Sequence, residues 1–110
     1  MDIRCEVAND LAFLRISGRV DTVTAPELEA AVYGAIGQGG VSVVFDLGQV
    51  DYLSSSAFRV FIKTQKECRK NDGQAIIQAA NPLIMPLFKL SGFDRLFLFT
   101  DSDAASRAAI

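Results

Sequence analysis

The chain has 110 residues, half of them hydrophobic, with 11 basic and 13 acidic side chains, a net charge of −2 and no histidine. That length fits one domain able to bury a core without a metal or disulfide, and the small charge argues against general nucleic-acid binding. The lack of histidine excludes Ser-His-Asp and Cys-His catalysis and every histidine-containing metal site.

The start, Met1-Asp2-Ile3-Arg4-Cys5-Glu6-Val7, has neither the basic nor the apolar region of a signal peptide. No apolar run approaches the roughly eighteen residues of a membrane span, so a cytoplasmic protein with no membrane insertion is expected. Ile3, Cys5 and Val7 alternate with Arg4 and Glu6, the period-two pattern of a half-buried strand. Asn9-Asp10 supplies turn residues, and Leu11 to Ile16 returns as the second arm of a hairpin that Gly18 closes. Cys5 and Cys68 fall on apolar faces of a strand and a helix, far apart and without a partner motif, and are expected as buried reduced thiols.

Gly18-Arg19-Val20-Asp21 leads into Thr22-Val23-Thr24-Ala25-Pro26-Glu27. There Thr24 and Glu27 match a capping box and Pro26 suits a first helical turn. Leu28, Ala31, Val32, Ala35 and Ile36 give this helix its inward stripe, and Gly37 with Gly39-Gly40 ends it. The glycine run follows a helix and precedes a strand, the reverse of a nucleotide-binding loop, and no cofactor is expected.

Val41, Val43, Val44 and Phe45 form a nearly continuous apolar run, the mark of a strand buried on both faces. A short polar loop then leads to Ser54-Ser55-Ser56 and a second helix. At about 100° per residue, Ala57, Phe58, Phe61, Ile62 and Cys68 gather on one side of it, and Arg59, Lys63, Lys66 and Lys70 on the other. By residue type the basic stripe reads first as a solvated face, and the serines as a polar loop and a cap. Ser54 suits the N-cap, which sets Ser55 and Ser56 at the positive end of the helix, where an added phosphoryl group is favoured.

Asn71-Asp72-Gly73 is a turn, Ala75-Ile76-Ile77 a buried strand, and the strand-helix-strand order implies a right-handed parallel crossover. Asn81-Pro82 opens a third helix with Leu83, Leu87 and Leu90 on one side. Ser91-Gly92 ends it, Leu96 to Phe99 is a last short strand, and Thr100 to Asp103 caps a short final helix. The order β, β, α, β, α, β, α, β, α predicts one α/β domain over residues 1–110, a mixed sheet covered by about four helices. Asp21, Asp46 and Asp51 lie near serines but nothing completes a catalytic set, so an enzyme is not expected.

Three segments together resemble the STAS domain family, and within it the free-standing anti-sigma factor antagonists. They are Gly18-Arg19-Val20-Asp21, Phe45-Asp46-Leu47 through Tyr52-Leu53-Ser54-Ser55-Ser56, and Leu87-Phe88-Lys89-Leu90-Ser91-Gly92-Phe93. Aligned on the family's phosphorylation motif, Ser54 stands where the family has Asp, Ser55 at the phosphorylated serine, Ser56 at the following Ser or Thr, and Ala57 at the glycine. The resemblance implies a partner switch. The unphosphorylated form binds an anti-sigma factor with serine-kinase activity and frees the sigma factor, and phosphorylation of Ser55, with Ser54 and Ser56 as alternatives, reverses this. A serine phosphatase is a further partner of such a cycle. Asp21 matches the family's acidic residue near the phosphosite, and Asp21, Thr22, Ser54, Ser55, Ser56, Arg59 and Lys63 make up the expected partner surface. Arg59, four residues after Ser55, is placed to pair a phosphate there. Ser54 in place of the acid also fits a second kind of STAS module, one never phosphorylated, that serves as an accessory or scaffold subunit of a lipid-transport or stress-signalling complex.

Overall fold

In the computed structural model, which describes all 110 residues, strands β1 (Asp2–Ala8) and β2 (Leu11–Val20) pair antiparallel, with Ile3 opposite Ile16. Asn9 and Asp10 between them have φ of 54° and 68°, the backbone that lets a two-residue turn follow the twist of its strands. There follow α1 (Ala25–Gly37), β3 (Ser42–Leu53), α2 (Ser55–Lys70), β4 (Ala75–Gln78), α3 (Met85–Ser91), a 3-10 turn (Phe93–Arg95), β5 (Leu98–Thr100) and α4 (Asp103–Ala108). The sheet order is β1-β2-β3-β4-β5, and every pair after the first is parallel. Parallel neighbours need a crossover, and the helices supply it. The mixed α/β architecture with four helices is the one the sequence predicts.

β3 is the middle strand, and its residues Val43, Val44 and Phe45 are fully buried. Alternation along the strand sends Val43, Phe45 and Leu47 to the main core, with Leu28 and Val32 of α1, Phe58 and Phe61 of α2, and Phe88 of α3. Val44 joins Leu11, Phe13 and Ile76 in a smaller cluster closed by Ala109. Phenylalanines hold the main layer together: ring centroids are 4.6 Å apart for Phe45 and Phe61, and 5.0 Å for Phe58 and Phe88. α2 and α3 are thereby fixed to the sheet and to each other.

Several local expectations are corrected. The stretch before the serines is strand, not a polar loop, because β3 continues to Leu53 and stays paired with β2 as far as Val20, across two register shifts. Gly18 does not close β2 but sits inside it, with φ of 89°, beside a register shift in the β2–β3 pairing. A ladder partner on the neighbouring strand has outweighed local polarity and glycine content. α3 begins at Met85, after a turn in which the Asn81 side chain accepts from the N–H groups of Leu83 and Ile84. That phase buries Ile84 and Phe88 and turns Leu83 and Leu90 outward, at 66% and 85% exposure. Cys68 is buried as expected, whereas Cys5 is exposed: β1 is the edge strand, and even its apolar neighbours Ile3 and Val7 are only half-covered. At α4 the cap is Ser102, which accepts from the Ala105 N–H at 3.1 Å, while Thr100 turns to the Ser106 hydroxyl at 2.6 Å.

Candidate functional site at the start of the second helix

The β2–β3 ladder places the site. Because the pairing runs to Val20 and Leu53, and the Ser54 N–H then donates to the Val20 carbonyl at 2.9 Å, both chains leave the sheet side by side. The Asp21–Thr24 turn and the serine cluster are neighbours for that reason. Their side chains meet at Thr22 and Ser56, whose hydroxyls are 3.3 Å apart across 34 residues of sequence.

The expected Thr24–Glu27 capping box does not form: Thr24 is the N-cap of α1 but makes no side-chain cap bond, and a reciprocal exchange closes the turn before the helix instead. Asp21 Oδ1 accepts from the Thr24 N–H at 3.0 Å, and the Thr24 hydroxyl accepts in return from the Asp21 N–H at 2.9 Å. Glu27 takes no part in this exchange. The Thr24 N–H, aided by the Thr24 hydroxyl, the Val23 N–H and Arg19, holds the Asp21 carboxyl below the usual carboxylate range. Asp21 thus shapes the turn beside the serines and remains an anion there.

The three serines have different fates. Ser54 has the extended backbone of an N-cap, φ −89° and ψ 173°, and its carbonyl accepts from the N–H groups of Ala57 and Phe58. Its side chain does not cap. The hydroxyl is buried without any hydrogen-bond partner, and no other buried side-chain polar atom shares that condition. Ser56 is half-buried and engaged with Thr22, and Ser55 alone is exposed. As the first residues of α2, Ser55 and Ser56 have no carbonyl four residues earlier within the helix to receive their N–H groups.

Outward from the serines runs the basic stripe of α2, with Arg59, Lys63, Lys66 and Lys70 all exposed. Lys63 is committed to α1 through Glu29 at 2.9 Å, which also raises its pKa, and Lys70 to Glu67 at 3.0 Å. Arg59 forms no ion pair. It lines, with Thr22, Pro26, Glu29, Ser56 and Lys63, a shallow groove between the two helices. Of the seven residues expected at the partner surface, Asp21, Thr22, Ser54, Ser55 and Ser56 lie around the helix start, with Arg59 one turn and Lys63 about two turns along α2. Sequence reasoning missed Glu29 and the pair Arg19–Tyr52, in which the guanidinium stacks 4.2 Å from the ring centroid. The acidic first helix beside a basic second one is the signal that points to Glu29. Asp46 and Asp51 stand apart: Asp46 pairs with Arg15 at 3.2 Å, in a group with Asp103, and Asp51 is exposed. No group of three or more His, Cys, Asp or Glu residues that could hold a metal forms, and no helix is long and apolar enough to cross a membrane.

The STAS domain family model matches residues 2–105, which include the whole of this site. The chain belongs to the STAS domain family. Similar to this STAS domain is BtrV of Bordetella bronchiseptica, named as a candidate anti-sigma factor antagonist, at 33% identity over 94 residues, 86% of this chain and 81% of BtrV. The crystal structure of an anti-sigma factor antagonist from Mycobacterium paratuberculosis superposes with a TM-score of 0.86 at 25% identity, covering 99% of this chain and 92% of that one. The Bacillus protein SpoIIAA, at 17% identity, shares the fold. Its unphosphorylated form gives a TM-score of 0.83 over 98% of this chain and 96% of SpoIIAA. Its phosphorylated form gives 0.75 over 99% and 100%.

Proposed function

We propose that this STAS domain is an anti-sigma factor antagonist: a cytoplasmic, non-enzymatic regulator that frees a sigma factor by occupying the anti-sigma factor. Its switch is Ser55. The observation that carries the reading is the inequality of the three serines. Ser54 keeps its hydroxyl buried and Ser56 shares its hydroxyl with Thr22, whereas Ser55 is exposed at a helix start that favours an added anion. The names of BtrV and the Mycobacterium protein support the role, and the family motif supports the residue.

In the cycle, an anti-sigma factor of serine-kinase type binds ATP and docks on the start of α2. The Ser55 oxygen attacks the γ-phosphorus, the bond from that phosphorus to the β-phosphate oxygen breaks, ADP leaves and the hydroxyl proton is released. The new phosphate adds about −1.5 to −2 charge to the contact surface and opposes docking by repulsion and desolvation. A serine phosphatase restores the free hydroxyl by hydrolysis.

The test is incubation with an anti-sigma factor serine kinase from the same organism, with and without ATP. Expected are a complex without phosphorylation, one added phosphate localised to Ser55 by mass spectrometry, and loss of both phosphate and dissociation in Ser55→Ala. No complex and no phosphate on any of the three serines would sink the reading. One observation favours a second role, as a never-phosphorylated accessory or scaffold subunit: the family's acid beside the acceptor is here Ser54, whose hydroxyl has no partner. In that case the kinase result is negative and the protein co-purifies with a stable assembly instead.

A further inference from the structure

We infer that Arg59 is the internal counter-ion of a phosphate on Ser55, so that phosphorylation both adds an anion to this surface and withdraws a free cation from it. The inference rests on the assignment of Ser55 as the acceptor. On a helix the neighbours of Ser55 one turn on are Phe58 and Arg59, three and four residues later. Phe58 is buried in the aromatic layer, so Arg59 is the one cation of α2 within a turn of the acceptor. Helical side chains lean toward the N-terminus, which carries a long side chain at position 59 back over the first turn.

The other charges near the site are already engaged. Lys63 is paired with Glu29, Arg19 lies 3.6 Å from Asp21 and stacks on Tyr52, and the Asp21 carboxylate accepts from its own turn. Arg59 is exposed, without a carboxylate, on the groove that Ser56 also lines. A guanidinium in that state presents its fork of donors either to a partner's carboxylate or to a phosphate formed next to it. Once the phosphate is present, its tether to the same helix makes the internal pair the favoured one. A partner that reads Arg59 with an acidic group therefore loses its contact at the moment it meets the new anion. Lys66 is also exposed and unpaired but lies eleven residues from Ser55, about 16 Å along the helix and beyond the screening length of physiological salt.

The experiment installs phosphoserine at position 55 during translation, so that it does not depend on any kinase. The phosphate's second ionisation is followed by phosphorus NMR in the full chain, and the Arg59 Nε–H signal by nitrogen-edited NMR. Expected is a midpoint lower by about 0.5 unit in the parent than in Arg59→Gln, with Arg59→Lys between them and Lys66→Gln within about 0.2 unit of the parent. The Arg59 Nε–H also exchanges with water several-fold more slowly in the phosphorylated form than in the free form. Equal shifts for Arg59→Gln and Lys66→Gln, or no shift and no slowed exchange, would overturn the pairing and leave the kinase assignment standing. Failure of the anti-sigma factor kinase to modify Ser55 would do the reverse. Because Arg59 is exposed and unpaired, its variants are expected to fold, and the chemical-shift pattern of the aromatic core checks that directly.

Discussion

Replacing Ser54 with alanine separates two descriptions of the helix start by the sign of one number. If the Ser54 hydroxyl capped α2, its loss would cost about 1 kcal/mol, within a range of roughly 0.5–2. In the structure the hydroxyl is buried and accepts from nothing, and such a group carries a desolvation penalty of about 1–3 kcal/mol that alanine removes. Lost packing around one oxygen offsets part of that gain. Ser54→Ala is therefore expected to be neutral to about 1 kcal/mol more stable, which raises the melting temperature of a 110-residue chain by up to about 4 °C. Ser106→Ala is the paired control, since its fully buried hydroxyl bonds both Gln78 and Thr100 at 2.6 Å. Its loss strands two partners and costs about 1–3 kcal/mol. Urea denaturation of the three proteins at neutral pH, with slopes compared to verify a common unfolding transition, measures both changes. A loss of about 0.5 kcal/mol or more in Ser54→Ala at unchanged slope would show that the hydroxyl does cap the helix, and the reasoning on the serine cluster would fail with it.

On the opposite side of the sheet, Asp103 accepts two hydrogen bonds from Arg15, at 2.8 and 2.9 Å, and one from Gln78 at 2.7 Å. The Arg15 guanidinium, with Gln78, lowers its carboxyl to about 2 from 3.8. A pKa depressed on folding gives stability that is present above the usual carboxylate range and disappears as the pH falls toward 2. Asp103→Asn should thus cost about 1 kcal/mol at pH 7, discounted because the side chain is 37% exposed, and almost nothing relative to the parent near pH 2. A gap between parent and variant that stays constant from neutral to acid pH would count against this ion pair. For the cysteines, a thiol reagent near pH 8 should modify exposed Cys5 readily and leave Cys68, whose pKa burial pushes up to about 11, unreacted until urea is added. Two thiols titrating together in the native protein would contradict that burial.

The element order was legible because each signal was strong and local: period-two alternation in the first strand, the run at Val43 to Phe45, and the two-sided pattern of α2. What escaped depends on partners distant in sequence. Gly48 to Leu53 is polar enough to read as a loop, and only the ladder with β2 makes it strand. The leucines of α3 have helical spacing but belong to a helix whose phase is set by the aromatic layer around Phe88, which cannot be read from the leucines themselves. At the site, residue types alone read as a cap and a solvated face and the family resemblance singled out the serines, yet the exchange between Asp21 and Thr24 and the Glu29–Lys63 pair depend on how the turn before α1 and the two helices are held side by side.

That arrangement also bears on the proposed switch at the helix start. Ser55 follows a residue whose N–H is bonded to β2, and it precedes Ala57, Phe58 and Phe61, which are buried against the sheet and the third helix. Reorganising this turn would expose the aromatic layer, and losing the packing of one buried phenylalanine already costs about 3–5 kcal/mol. A phosphate at an exposed helix start gains only about 0.3–1 kcal/mol from its surroundings, too little to drive such a rearrangement. On the proposed reading, modification of Ser55 would therefore act on a surface that keeps its shape, through charge, desolvation and the inferred pairing with Arg59. The energy that opposes docking in that proposal would arise in the encounter with the partner, where an anion must be buried or repelled, and the domain itself would need only to hold Ser55 and Arg59 in place.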